Sequence, residues 1–113
     1  MTRLMIQTPT GFVTEDELRS LDFQASMASL AFCDLAALDL TRLDLRAVDF
    51  TGADLRDADL RDADLRGACF LKATLVRTRF SGALVTDVLW PAGHPEPLVR
   101  RIPGYHTVDR QVV

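Results

Sequence analysis

Residues Ala53 to Cys69 read ADLRD ADLRD ADLRG AC, one five-residue word written three times and begun a fourth. A period of five is hard to house in either regular secondary structure. In a helix, at about 100° per residue, successive copies rotate by roughly 140° beyond a full turn, and the leucines scatter around the cylinder. In a plain strand an odd period sends alternate leucines to opposite faces. What suits the word is a chain that turns a corner every five residues. The leucine and the small residue two positions before it then point inward, and the other three point out.

The same phase runs well beyond the perfect copies. A large apolar residue recurs every five positions from Leu30 through Phe50 and Phe70 to Val85, and a second series, mostly small, runs two residues ahead of it from Ala28 to Ala83. Aspartate stands between the two at seven consecutive repeats, Asp34 to Asp64. Twelve repeats follow without an insertion, the kind of self-similarity that decides a fold before any helix or strand is sought.

With the pattern A(D/N)LXX legible in them, residues 28–87 resemble a pentapeptide-repeat protein. The resemblance implies an all-β solenoid, a right-handed quadrilateral β-helix with four pentapeptides per coil and about three coils. Residues twenty apart then stack, so Leu30/Phe50/Phe70, Leu35/Leu55/Leu75, Leu40/Leu60/Phe80 and Leu45/Leu65/Val85 form the four central columns. The middle coil is close to pure consensus. The first has Leu38, Leu43 and Val48 where alanine is usual, larger residues that widen that end or fill space against what precedes it. Solenoid ends expose core and need caps.

One domain of 113 residues is expected, divided into an N-terminal segment with a capping helix (1–27), the β-helix (28–87) and a C-terminal tail (88–113). Leu4, Met5 and Ile6 suit a short strand. Thr14-Glu15-Asp16-Glu17 fits a capping box, flanked by Val13 and Leu18 as a hydrophobic staple, and predicts a helix from Glu15 to about Leu21. After Val85 the pattern dissolves. Pro91, Pro95, Pro97 and Gly93 exclude a helix interior or a central strand, so an irregular tail is expected. Trp90 and the segment from Leu98 to Tyr105 are expected to fold over the last coil, as a second cap or as a dimer surface.

Several function classes drop out. Sixteen acidic against 13 basic residues argue against direct nucleic-acid binding, which uses a basic patch. No apolar run approaches the ~20 residues of a membrane span, and the first residues lack a secretory h-region, so a cytoplasmic protein is expected. No Ser-His-Asp set, phosphate-binding glycine loop or HExxH motif occurs, and no catalytic, cofactor-binding or metal-binding residue is assigned. The expectation is a protein that is not an enzyme and has no cofactor.

The aspartates stack about 4.8 Å apart in this register and invite a cation. A short polar side chain at a corner, however, bonds its own backbone, and Arg56, Arg61 and Arg66 each follow an aspartate by two residues. Cys33 falls inward and Cys69 outward, in different coils, so no disulfide is expected. A zinc site from Cys69, His94 and His106 is also conceivable.

The outward rows carry the functional reading. The third coil turns Cys69, Leu71, Val76 and Leu84 outward where polar residues are expected, and exposed apolar area marks contact surfaces. With Leu89, Trp90, Leu98, Ile102 and Tyr105 of the tail, these form the candidate partner or dimer surface. The function expected is a rigid, non-enzymatic protein-binding or scaffold module, its partner an unknown protein or a second copy. The resemblance implies an alternative, since some pentapeptide-repeat proteins imitate duplex DNA, bind DNA gyrase and protect it from quinolones. Three coils span only about 15 Å at ~4.8 Å each, short of one ~34 Å turn of duplex. The repeats also hold ten acids against eight bases, a thin negative rail. A small metal-binding protein or enzyme is the second alternative.

Overall fold

The computed structural model of the chain describes residues 5–8, 11–26, 29–93, 98–102 and 105–110, with side chains described within 17–25 and 29–93. Each pentapeptide closes in a turn. In nearly all of them the carbonyl of the central residue accepts the N–H three residues on, as from Ala53 to Phe50 at 2.9 Å and from Ala58 to Leu55 at 3.0 Å. The third residue of every turn from Phe32 to Asp87 is left-handed, with φ between 58° and 76°, as at that position of a type II turn. Four such turns bring the chain back over its own start.

Pairing confirms the twenty-residue coil. Eight parallel bridges join residues twenty apart, from Asp34 with Asp54 to Cys69 with Leu89. Around one of them, Leu40 donates to the Asp59 carbonyl at 2.8 Å and Asp59 donates to the Leu38 carbonyl at 2.9 Å. These are single-residue bridges rather than extended strands, because the turn occupies two residues of every five. Every central residue from Leu30 to Phe80 is at most 2% exposed, and Ala53, Ala58, Ala63 and Ala68 pack beside them. Thr78 takes a small inward position and satisfies its hydroxyl on the Leu55 carbonyl at 2.7 Å.

The repeat outlasts Val85, contrary to the sequence expectation. Phe70 donates to the Leu89 carbonyl at 2.8 Å, and half-buried Val88 and Trp90 pack on the core. Phe50 stacks on Phe70 at 4.7 Å between centroids, and Trp90 stacks on Phe70 at 5.6 Å. Phe80 stands edge-on to Phe70 and Trp90 at 5.9 and 5.4 Å. The prolines after Val85 start only at Pro91, a corner position, and leave the inward-outward-inward triplet Val88-Leu89-Trp90 intact.

Ahead of the coil, β1 (Met5–Thr8) and β2 (Gly11–Thr14) form an antiparallel hairpin with Met5 opposite Thr14. Leu4, first of the three expected strand residues, lies outside the described residues. The single helix expected from Glu15 to Leu21 is instead a 3-10 helix, Glu15–Ser20, followed by a short α1, Phe23–Ser26. The i, i+3 spacing of Leu18 and Leu21 suits three residues per turn. Asp22 Oδ1 then starts a new helix by accepting the N–H groups of Gln24 and Ala25 at 3.0 and 2.9 Å. The side chains of Val13, Thr14, Glu15 and Asp16, which carry most of the expected capping box and staple, lie outside the described residues.

Buried Leu18 and Phe23 join one core cluster with Leu38, Leu43 and Val48, the oversized residues of the first coil. Polar side chains complete the backbone ladder at this end. In the second coil the carbonyls of Asp59, Arg61 and Arg66 accept the N–H groups of Leu40, Arg42 and Ala47. In the first coil the equivalent carbonyls of Asp39 and Thr41 accept Arg19 Nη1 and Nη2 at 3.1 and 2.8 Å, and that of Arg46 accepts Gln24 Nε2 at 2.8 Å. A guanidinium and a side-chain amide thus stand where a preceding coil would put its amides.

The tail is more regular than expected. Strands β3 (Leu98–Ile102) and β4 (Tyr105–Arg110) pair antiparallel, with Ile102 opposite Tyr105 and a bulge between Leu98 and Val99. The prolines precede these strands or fall at residue 103 between them, so none interrupts the pairing. Among the described residues, no helix is long and apolar enough to cross a membrane.

Candidate interaction surface

The aspartate ladder is spent on the scaffold. Each of Asp34, Asp39, Asp44, Asp49, Asp54, Asp59 and Asp64 accepts with Oδ1 the N–H two residues on, at 2.9–3.3 Å. Four of them also hold an arginine in a two-pronged pair, Asp44–Arg46, Asp54–Arg56, Asp59–Arg61 and Asp64–Arg66. The Nη2–Oδ2 distances are 2.6–2.7 Å. At Asp39 and Asp49 a threonine hydroxyl, from Thr41 and Thr51, replaces the guanidinium.

Electrostatics follow from these bonds. The arginine hydrogen bond holds the carboxyls of Asp44, Asp59 and Asp64 below the usual carboxylate range, and the Thr41 hydroxyl followed by its N–H does the same for Asp39. Asp57 is lowered by Arg77 of the next coil, which it meets at 2.6 Å. Among the described residues no three His, Cys, Asp or Glu side chains cluster to hold a metal. Of the conceivable zinc set, Cys69 is half-buried, with Sγ 3.4 Å from the Thr51 hydroxyl. His94 and the side chain of His106 lie outside the described residues. Cys33 and Cys69 are both free, and burial pushes the Cys33 thiol pKa up.

The apolar outward residues behave differently. Among the described residues the exposed large apolar side chains are Phe32 (76%), Leu89 (53%), Val76 (48%) and Leu71 (42%). Three of these belong to the surface expected from sequence. Leu84, like Cys69, is half-buried, and Trp90 is engaged by Phe70 and Phe80 as a cap. The side chains of Leu98, Ile102 and Tyr105 lie outside the described residues.

Phe32 escaped the sequence reading, although its signal was present: a phenylalanine at the fourth residue after Ala28, a corner that elsewhere takes small or charged residues. Its backbone is left-handed at φ 61°, and its ring lies over Gly52, one coil on. A Cβ at Gly52 would meet Phe32 Cδ1 and Cε1 at 2.5 Å, so the glycine leaves the notch that the ring occupies.

Eight copies of the pentapeptide-repeat family model match the chain, over residues 28–67 and 44–82. The chain belongs to the pentapeptide-repeat family. Among solved pentapeptide-repeat proteins it is similar to Rfr23 from the cyanobacterium Cyanothece 51142, at 29% identity and TM-score 0.49, over 50% of this chain and 40% of that one. A second, alr5209 from Nostoc Pcc 7120, is 24% identical with TM-score 0.22, over 50% of this chain and 69% of that one. The chain thus spans two-fifths of the length of Rfr23. No curated protein matches it. The Ala, Asp and Leu positions of the pentapeptide repeats are shared pattern, so what individualises this chain is the set of outward residues that depart from it.

Proposed function

We propose that this pentapeptide-repeat chain is a non-enzymatic, cytoplasmic module that docks another polypeptide on a rigid wall. Its repeats wind as a right-handed quadrilateral β-helix of three coils closed by Trp90. The observation that carries the reading is the exposure of Leu71 and Val76 at outward positions of the third coil and of Leu89, stacked on Cys69 just beyond it, joined by Phe32 of the first. Exposed apolar area of this kind is a usual mark of contact surfaces. Gyrase binding by DNA mimicry has less support, because four of the ladder aspartates are neutralised by their own arginines.

Affinity capture on the immobilised full chain, compared with a Leu71→Asp/Val76→Asp variant, tests the reading. Both positions are open to solvent, so the variant should melt with the parent and lose whatever polypeptide the parent retains. Equal capture by the two proteins would overturn it.

A further inference from the structure

The aspartate ladder stops where the third coil begins. Through the first two coils each ladder carboxylate accepts the N–H two residues on, so those N–H groups face the outer wall. Beyond Asp64 the same position is taken by Cys69, Thr74, Arg79 and Leu84. The N–H groups of Leu71, Val76 and Ser81 consequently have no acceptor among the described residues. Charge changes sign at the same place. Residues 70–86 hold Lys72, Arg77 and Arg79 and no acid. Arg77 is held by Asp57 of the coil before, at 2.6 Å. Arg79 acts on Asp57 and Asp59 across space without pairing with either, and Lys72 is in no ion pair with a described residue. Exposed Leu71 and Val76 stand next to Lys72 and Arg77 at successive corners.

We propose that the band of the third coil from Leu71 to Ser81 binds an acidic polypeptide segment, one that interleaves carboxylates with apolar side chains. The proposal rests on the protein-contact reading above and names the chemistry of its partner. A carboxylate of such a segment can accept the N–H of Val76 or Ser81, as Asp54 and Asp59 accept those of Arg56 and Arg61 one coil before. Charge-assisted bonds of this kind are about twice as strong as neutral ones. Lys72 and Arg79 supply the countercharge within the same band, and Leu71 and Val76 meet the segment's apolar side chains. The first two coils cannot do this, because their own carboxylates already take the N–H groups and would repel the segment's. An anionic bilayer shares the charge but binds through apolar area pushed among acyl chains. Two aliphatic side chains at separate corners offer little of that, whereas three outward backbone donors suit carboxylates.

Fluorescence anisotropy reads this, with a short labelled peptide of interspersed glutamate, serine and leucine titrated with the full chain. The parent should bind the peptide, and salt should weaken the binding. The same peptide with glutamine for glutamate should bind about tenfold more weakly. Lys72→Gln combined with Arg79→Gln should cost several-fold. Thr74→Asp is the sharpest variant. It restores the ladder and gives the Val76 N–H its own acceptor, so it should melt no lower than the parent, yet it should weaken the peptide about tenfold by repulsion. A glutamine peptide bound as tightly as the glutamate one, or a Thr74→Asp chain that binds like the parent, overturns the proposal. So does a parent that leaves the peptide free but sediments with phosphatidylserine vesicles, which would give the band to a bilayer. If the peptide stayed free while the parent captured a polypeptide that Leu71→Asp/Val76→Asp released, the protein-contact reading would stand and the acidic partner would fall.

Discussion

At the scale of single residues the repeat makes an unusual demand. Twelve corners from Phe32 to Asp87 are left-handed, yet only Gly52, Gly67 and Gly82 among them are glycine. For other residues that conformation costs about 1–2 kcal/mol each. Ala37→Gly, at φ 62°, should therefore stabilise the chain by about 0.5 kcal/mol, the relief being offset in part by the freedom glycine adds to the unfolded chain. Gly52→Ala should do the reverse and cost about 1 kcal/mol, because it adds a left-handed Cβ and must push the Phe32 ring aside. Urea titrations of the two variants should shift the midpoint in opposite directions; equal midpoints would remove the strain argument.

Among the elements, the N-terminal cap acts through chemistry as much as through cover. Arg19 reaches the carbonyls of Asp39 and Thr41 together, a task that needs the planar fork of a guanidinium. Arg19→Met keeps some of the apolar stem but leaves both carbonyls without that donor, at a cost of about 1–2 kcal/mol. Arg19→Lys should recover only part of it, since one ammonium cannot span both carbonyls with the same geometry. Hydrogen exchange checks this: amides of the first coil should open faster in Arg19→Met, and those of the third coil should not change. Uniform acceleration would mean that the cap stabilises the whole coil rather than its own end. At the other end Trp90 does the equivalent work with an aromatic face, extending the column Phe50, Phe70.

Over the whole molecule, the ladder sets the response to acid. The folded carboxyls of Asp39, Asp44, Asp59 and Asp64 lie below their ordinary values, so the unfolded chain binds protons first as pH falls. Their contribution to stability is full above the unfolded carboxylate value of about 4 and is lost as pH drops through the folded values. Thermal melts should be level between about pH 8 and pH 5 and fall steeply below about pH 4. Asp59→Asn should flatten part of that fall, since the amide oxygen can still accept the Arg61 N–H while the titrating group is gone. Charge is also uneven along the axis. Residues 30–69 hold nine acids against five bases, whereas residues 70–89 hold Lys72, Arg77 and Arg79 against Asp87. An acidic rod is not what this distribution describes.

The period of five determined the inside of this protein from the sequence alone. Whether a residue points in or out depends on its place in a local turn, so Leu60 and Ala58 could be assigned to the core, and Asp59 to its own backbone, without knowing any distant contact. What only the tertiary structure decided concerns positions that depend on segments far apart in the chain. Thr41 is outward by register yet only 8% exposed, in a part of the first coil that Arg19 reaches from 22 residues away. Trp90 is expected from the sequence to cover the last coil, as a cap or as a dimer surface, and it is the stacking of its ring on Phe70 that makes it an extension of the aromatic column. Phe32 meets Gly52 only once coiling stacks the two on one corner column, because which outward residues come together is fixed by the twenty-residue return of the chain.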